Sequence, residues 1–232
     1  MNFDNYFLWR RVDPGFYDTY AIPKYLRRLL PTDKSAIVVD FGCGYGQLLR
    51  ALVEEGYRNS VGIDVGKGAI DFCRANGLTV LDASDFDATN AVFEKADFVI
   101  ASHVLEHIPK NEIVHTLEKI RAYLRPEGQL LVMVPNAQSN TGSYWAYEDF
   151  THCTLFTAGS IYYVLRAAGF EKIEFVDIDC TLGRRWLVKL FRKFFMLFYK
   201  ANKKFWNLVT SSSYHRPSEQ IFSYEIKVIA KK

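Results

Sequence analysis

The chain has 232 residues, of which 49% are hydrophobic and 16% aromatic, and a formal net charge of +3. That length and apolar content suit one globular domain, with room for an appendage, and exclude a disordered chain. No apolar run reaches the roughly 18 residues of a membrane span, and Met1-Asn2-Phe3-Asp4 does not open a signal peptide.

Residues 1–35 form an aromatic-rich lead-in that includes Phe3, Tyr6, Phe7 and Trp9. A short helix is expected over 21–30, with Pro23 in its first turn and Pro31 ending it. The apolar run 36–39 reads as a buried strand that ends at Asp40. It gives way to Gly42-x-Gly44-x-Gly46 and then to helical spacing at Leu48, Leu49, Leu52 and Val53. Glycines there let backbone approach a ligand closely, and the helix start offers free N–H groups to an anion. A second strand over 59–63 ends at Asp64, followed by a helix over 67–76. An acid about 20 residues past such glycines is placed to accept both ribose hydroxyls of a nucleoside. Strands are then expected at 78–81 and 97–102, a helix at 110–124 and a strand at 130–134. Thr157 can cap a helix with Ile161, Val164, Leu165 and Ala168 on its apolar face. Gly169 ends that helix, and a sixth strand follows at 172–178. Residues 184–209 are helical by pattern, 211–217 mark a loop, and 221–230 read as a last strand.

Strand–helix alternation of this kind demands a mostly parallel sheet covered on both faces. Ligands then bind at the carboxyl ends of the strands, near the switch between strands one and four. Asp40, Gly42, Asp64, Ser84 and His103 all fall on that edge. The four cysteines (Cys43, Cys73, Cys153, Cys180) lack C-x-x-C spacing and read as free thiols of a reducing cytoplasm.

The glycine turn departs from the dinucleotide fingerprint G-x-G-x-x-G, because its third glycine comes one residue early and an acid precedes the first. D-F-G-C-G-Y-G instead resembles motif I of the class I S-adenosylmethionine-dependent methyltransferases. Gly62-Ile63-Asp64-Val65, the run "VLEHIP", "LRPEG" and "LLVMVPN" follow that family's order over about residues 36–180. The resemblance implies an α/β, Rossmann-like, doubly wound sheet of seven strands in the order 3-2-1-4-5-7-6. The last strand would be antiparallel, with a helical insertion between strands six and seven. The methyltransferase domain would comprise 36–183 with 219–232. The implied cofactor is S-adenosyl-L-methionine. Asp40 would orient the turn, Gly42, Gly44 and Gly46 would approach the methionine part, and Asp64 would hold the ribose. Ser84 and Asp85 would hold the adenine edge, and His103 would line the donor pocket.

His103-x-x-Glu106-His107 matches the H-x-x-E-H zinc-peptidase pattern, but it follows a strand directly and Pro109 stands behind it, whereas that motif belongs inside a helix. No metal is expected there. The alternative is a divalent ion at Glu106 and His107, since some ubiquinone-type methyltransferases resemble this stretch. The block 143–152 follows the fifth strand, where this fold faces its acceptor. With Phe156-Thr157, its Asp149, Thr151 and His152 resemble a subgroup found among bacterial cell-surface glycan methyltransferases of the lipopolysaccharide and O-antigen type. His152 is the candidate base, because an imidazole titrates near neutral pH, and the resemblance makes Asp149 the second catalytic candidate. A loop-fixing histidine is the structural alternative. Tyr144, Trp145 and Tyr147 suit stacking on a sugar or quinol ring, or ordinary packing.

Residues 184–209 carry Arg184, Arg185, Lys189, Arg192, Lys193, Lys200, Lys203 and Lys204 with no acid. The remaining 21 basic and 26 acidic residues leave the rest of the chain at −5. Phe and Leu recur at helical spacing opposite the cations. Such a basic amphipathic helix fits a membrane surface, a second subunit or packing on the domain; nucleic acid is disfavoured because no RNA-binding module accompanies it. The expectation is therefore a cytoplasmic methyltransferase, peripheral at the inner membrane face, that O-methylates a glycan or sugar-linked acceptor. The alternatives are an O-methyltransferase of a lipid quinol or small aromatic, and a non-catalytic accessory protein that retains the donor fold.

Overall fold

The computed structural model describes residues 3–13, 15, 20–85 and 95–232. Seven strands form one sheet: β1 Val38–Phe41, β2 Val61–Asp64, β3 Val80–Asp82, β4 Ala96–Ser102, β5 Leu124–Pro135, β6 Lys172–Phe175 and β7 Glu225–Lys231. Their order is β3-β2-β1-β4-β5-β7-β6, as the resemblance implied. The pairs from β3 to β5 are parallel, while β7 runs antiparallel to both neighbours. The helices are α1 Tyr6–Trp9, α2 Lys24–Arg27, α3 Gln47–Glu54, α4 Lys67–Ala75, α5 Ile113–Tyr123, α6 Gly142–Glu148, α7 Ala158–Ala167 and α8 Trp186–Val209.

The strands are apolar on both faces because both faces are covered. Val39, Val99, Leu130 and Val132 point into one core layer with Leu117 and Ile120 of α5 and Leu165 of α7. Val38, Phe98, Ile100 and Leu131 point into the other, with Leu48 and Leu52 of α3. Ile22, Leu26 and Leu30 from the lead-in complete this second layer, so part of the N-terminal segment is core.

Several boundaries differ from the pattern-based ones, each for a local reason. The helix expected over 21–30 shrinks to four residues, because Pro23 is its extended N-cap (ψ 144°) rather than a member of the first turn. β5 runs through Arg125-Pro126-Glu127-Gly128 instead of starting after it. Those residues bulge between the pairs Ala96–Leu124 and Phe98–Gln129, with Glu127 at φ +63°. β6 stops before Asp177, which takes φ +47°. β7 begins at Glu225 rather than 221, because the Asn136 side-chain amide donates to the carbonyls of Ile221 and Ser223 at 2.8 Å. The first half of the block 143–152 is helical, in α6. No helix among the described residues is long and apolar enough to cross a membrane.

Candidate active site

The turn after β1 requires its glycines: Gly42, Gly44 and Gly46 have φ of +78°, +53° and +75°. A side chain at Gly42 would also collide with Val104, and one at Gly46 with Leu78. Asp64, at the end of β2, braces this turn. One carboxylate oxygen accepts Gly44 N–H at 2.7 Å and the other accepts Gly66 N–H at 2.8 Å. Asp40 is buried beneath them, and burial, together with the nearby Asp64 charge, pushes its carboxyl up to about 7. Two acids at one turn favour a cationic ligand, and a sulfonium donor is cationic; the residues present therefore fit S-adenosylmethionine.

Ser84 lies on the same edge, but its N–H and hydroxyl both donate to Asp82, at 2.8 and 2.6 Å. The side chain of Asp85 lies outside the described residues. His103, in the left-handed region at φ +55°, sits between two carboxylates. Its Nε2 is 2.8 Å from Glu225 Oε1, and its Nδ1 is 3.3 Å from Glu106 Oε1. Close packing works against the ring's charge, but these carboxylates outweigh it and raise the imidazolium to about 10. His103 is thus a cation at neutral pH, tied into a chain that continues from Glu225 to Lys227 (2.9 Å) and Asp177 (3.2 Å).

On the acceptor side Asp149 is a buried hub. Oδ1 accepts the Thr151 N–H and hydroxyl at 3.0 and 2.6 Å, while Oδ2 accepts the Tyr6 hydroxyl at 2.6 Å and stands 3.3 Å from Arg10. Burial opposes ionisation here, yet the hydrogen bonds from Thr151 and Tyr6 hold the carboxyl below its ordinary range. His152 Nε2 is 3.9 Å from the same Oδ2. The His152 Nδ1 lies 2.6 Å from the Trp145 carbonyl, which can only accept, so in the neutral ring Nε2 carries the lone pair. His107 is held the same way. Its Nδ1 is 2.7 Å from Thr151 Oγ1, whose own proton goes to Asp149, so Nδ1 donates and Nε2 is free. Burial and the neighbouring imidazoles lower the His107 pKa, which keeps the ring neutral.

Glu106 completes this cluster. It is fully buried and pairs with His103 through Oε1 at 3.3 Å, while neither oxygen accepts a hydrogen bond of good geometry among the described residues. Ligand atoms of Glu106, His107 and His152 lie within 4.8 Å of one another. Two imidazole nitrogens and a carboxylate suit a first-row divalent ion better than Mg²⁺, which prefers oxygen.

The N-terminal segment joins the two halves, which sequence reasoning missed. Phe7 packs on Tyr45 with ring centroids 4.4 Å apart, and Asp4 accepts Lys67 N–H at 3.2 Å on the donor side. Tyr6 and Arg10 reach Asp149 on the acceptor side. The density of aromatics in the lead-in was visible, but nothing in it pointed to a partner so far along the chain. Glu225 was missed in the same way, inside an otherwise ordinary strand.

Residues 12–174 match the family model described as "Methyltransferase domain". The chain belongs to this methyltransferase family. Its cofactor is S-adenosylmethionine. The methyltransferase is similar to an S-adenosylmethionine-dependent methyltransferase from Archaeoglobus fulgidus, with TM-score 0.65 and 22% identity over 99% of this chain and 100% of that one. One from Mesorhizobium loti gives TM-score 0.57 and 16% identity over 93% and 100%. Human N-acetylserotonin methyltransferase, solved with its methyl donor, gives 0.53 and 14% over 85% and 47%. At these identities the likeness is one of fold. No curated protein matches the methyltransferase.

Proposed function

We propose that this methyltransferase O-methylates a hydroxyl of a glycan or sugar-linked acceptor, with His152 as the base. The observation that carries this reading is the fixed His152 ring, whose Nδ1–H is committed to the Trp145 carbonyl while Nε2 keeps its lone pair. When bound, the cofactor supplies an electrophilic methyl group on a good leaving group. The chain must then hold the acceptor oxygen in line and take its proton at His152 Nε2. Asp149 acts as a positioning residue, since its oxygens are already engaged by Thr151, Tyr6 and Arg10. A sugar acceptor is supported by the exposed rings of Tyr147 and Phe150, 84% and 96% accessible beside this loop, and by the resemblance of the D-F-T-H block. His152→Ala should lower kcat about 10²-fold while S-adenosylhomocysteine affinity is kept. A loss below about threefold would reduce His152 to a structural role.

A second reading is favoured by the fully buried carboxylate of Glu106, which has only His103 as an ion-pair partner among the described residues and lies beside His107 and His152. In that reading these three side chains would hold a divalent ion, which would supply activation of the hydroxyl of a quinol or small aromatic, and His152 would serve as a ligand rather than a base. Calorimetric titration of the chelator-treated protein with Zn²⁺ or Mn²⁺ separates the two readings. Stoichiometric binding that disappears in Glu106→Gln, with activity abolished by chelation, would select the metal; full activity in chelator would reject it.

A further inference from the structure

The 24-residue α8 is turned the opposite way from a helix packed on its own domain. None of its residues is buried. Its half-buried stripe is Lys189, Arg192, Met196, Tyr199, Lys203 and Asn207, spaced three or four apart, which is the more polar side. That stripe faces the body: Arg192 donates to the Asp179 carbonyl at 3.3 Å, and the Tyr199 ring lies 5.9 Å from Phe222. The apolar side points away. Leu187, Phe191, Phe198, Phe205 and Leu208 are all between 56% and 81% accessible, while Phe194 borders a cleft against Ile178 and Phe222 of the body. A helix whose apolar stripe does not face its own core needs another cover, because exposed patches of this kind mark interaction sites.

We propose that α8 docks this protein on an anionic lipid surface, lying in the plane of the interface with its apolar side immersed. The charge distribution selects that occupant. Lys193, Lys200 and Lys204 are exposed along one flank of the apolar side, and residues 184–209 contain no acid. A second copy laid on this face would add a second set of cations with no counter-charge in the segment, whereas anionic headgroups supply it. The remainder of the chain, at −5, would be repelled by the same surface, so the field also orients the molecule. The length is adequate, about 36 Å at 1.5 Å per residue, and the helix lies on rather than crosses the bilayer. β6 runs parallel to β5, so the insertion leaves from the carboxyl edge of the sheet, where the glycine turn lies. This inference does not depend on the identity of the acceptor.

The test is co-sedimentation of the full chain with vesicles of equal parts phosphatidylcholine and phosphatidylglycerol, beside vesicles of phosphatidylcholine alone. Binding to the anionic vesicles at low salt is expected, with a loss of at least tenfold at high salt. The triple variant Lys193→Glu, Lys200→Glu, Lys204→Glu should bind about a hundredfold more weakly, since each cation near the surface contributes separately. Phe191→Ser with Phe198→Ser should also release the protein, and both variants should keep the thermal midpoint and S-adenosylhomocysteine affinity of the wild type. Failure of the wild type to sediment with anionic vesicles at low salt would overturn the proposal. So would a stable dimer, seen by sedimentation velocity, that closes this face and dissociates only when Phe191 and Phe198 are replaced.

Discussion

Asp64→Ala tests the donor half of the site most directly. In the folded chain its two oxygens take the N–H groups of Gly44 and Gly66, at 2.7 and 2.8 Å, and so hold the glycine turn against the start of α4. A hydrogen bond to a charged acceptor contributes about 1.5–3 kcal/mol, and the lower end applies here because Asp64 is only half-buried and the freed N–H groups can find water. Loss of the brace should therefore destabilise the unliganded protein by about 1–3 kcal/mol. If the same carboxylate also holds the cofactor's ribose, S-adenosylhomocysteine affinity falls by a further amount of similar size, roughly five- to 150-fold. Two measurements separate the roles. Thermal melting without ligand reads the brace, and isothermal titration with S-adenosylhomocysteine reads the ribose contact. A pure brace lowers the melting temperature but leaves the ligand-induced upward shift intact, whereas a ribose ligand shrinks that shift as well. A folded Asp64→Ala protein with unchanged affinity would refute the ribose assignment.

Asp40 makes a pH-dependent prediction. Its folded pKa, near 7, lies above the unfolded value, so the native state retains a proton that the unfolded chain releases. Stability should thus fall as pH rises from about 4 to about 7 and level off beyond. Asp40→Asn should be more stable than the wild type at pH 8, by at most about 4 kcal/mol, and indistinguishable near pH 4 in urea titrations. A bound cationic donor favours the ionised form, so S-adenosylmethionine affinity should rise through pH 7 with proton release, measurable by calorimetry in buffers of different ionisation enthalpy. At the start of α7, Thr157 accepts Ser160 N–H at 3.2 Å while Ser160 Oγ accepts Thr157 N–H at 2.9 Å. Thr157→Ala should cost about 1 kcal/mol, a drop of about 2–4 °C in Tm, without altering cofactor affinity.

Features set by local chain geometry were legible in the residues alone. Apolar runs bounded by glycine and acid located most of the strands. The spacing of Gly42, Gly44 and Gly46 required positive φ, and Thr157 before an apolar face announced a cap, because each is settled within one turn or strand. The acid at position 64 could be placed on the sheet edge for the same reason. The partners across the site could not. Tyr6 meets Asp149 across 143 positions, and His103 meets Glu225 across 122, and no local pattern encodes which distant side chains converge. His152 was legible as a candidate base, but the cluster it forms with Glu106 and His107 depends on how two segments some 45 positions apart in the chain pack. The basic helix shows the limit most clearly. Periodicity established that 184–209 has an apolar and a cationic side, but it carries no information about which side meets the body. Only the tertiary structure decided that, through the contacts of Arg192 and Tyr199 with the segments flanking β6 and β7, and it left the apolar side outward.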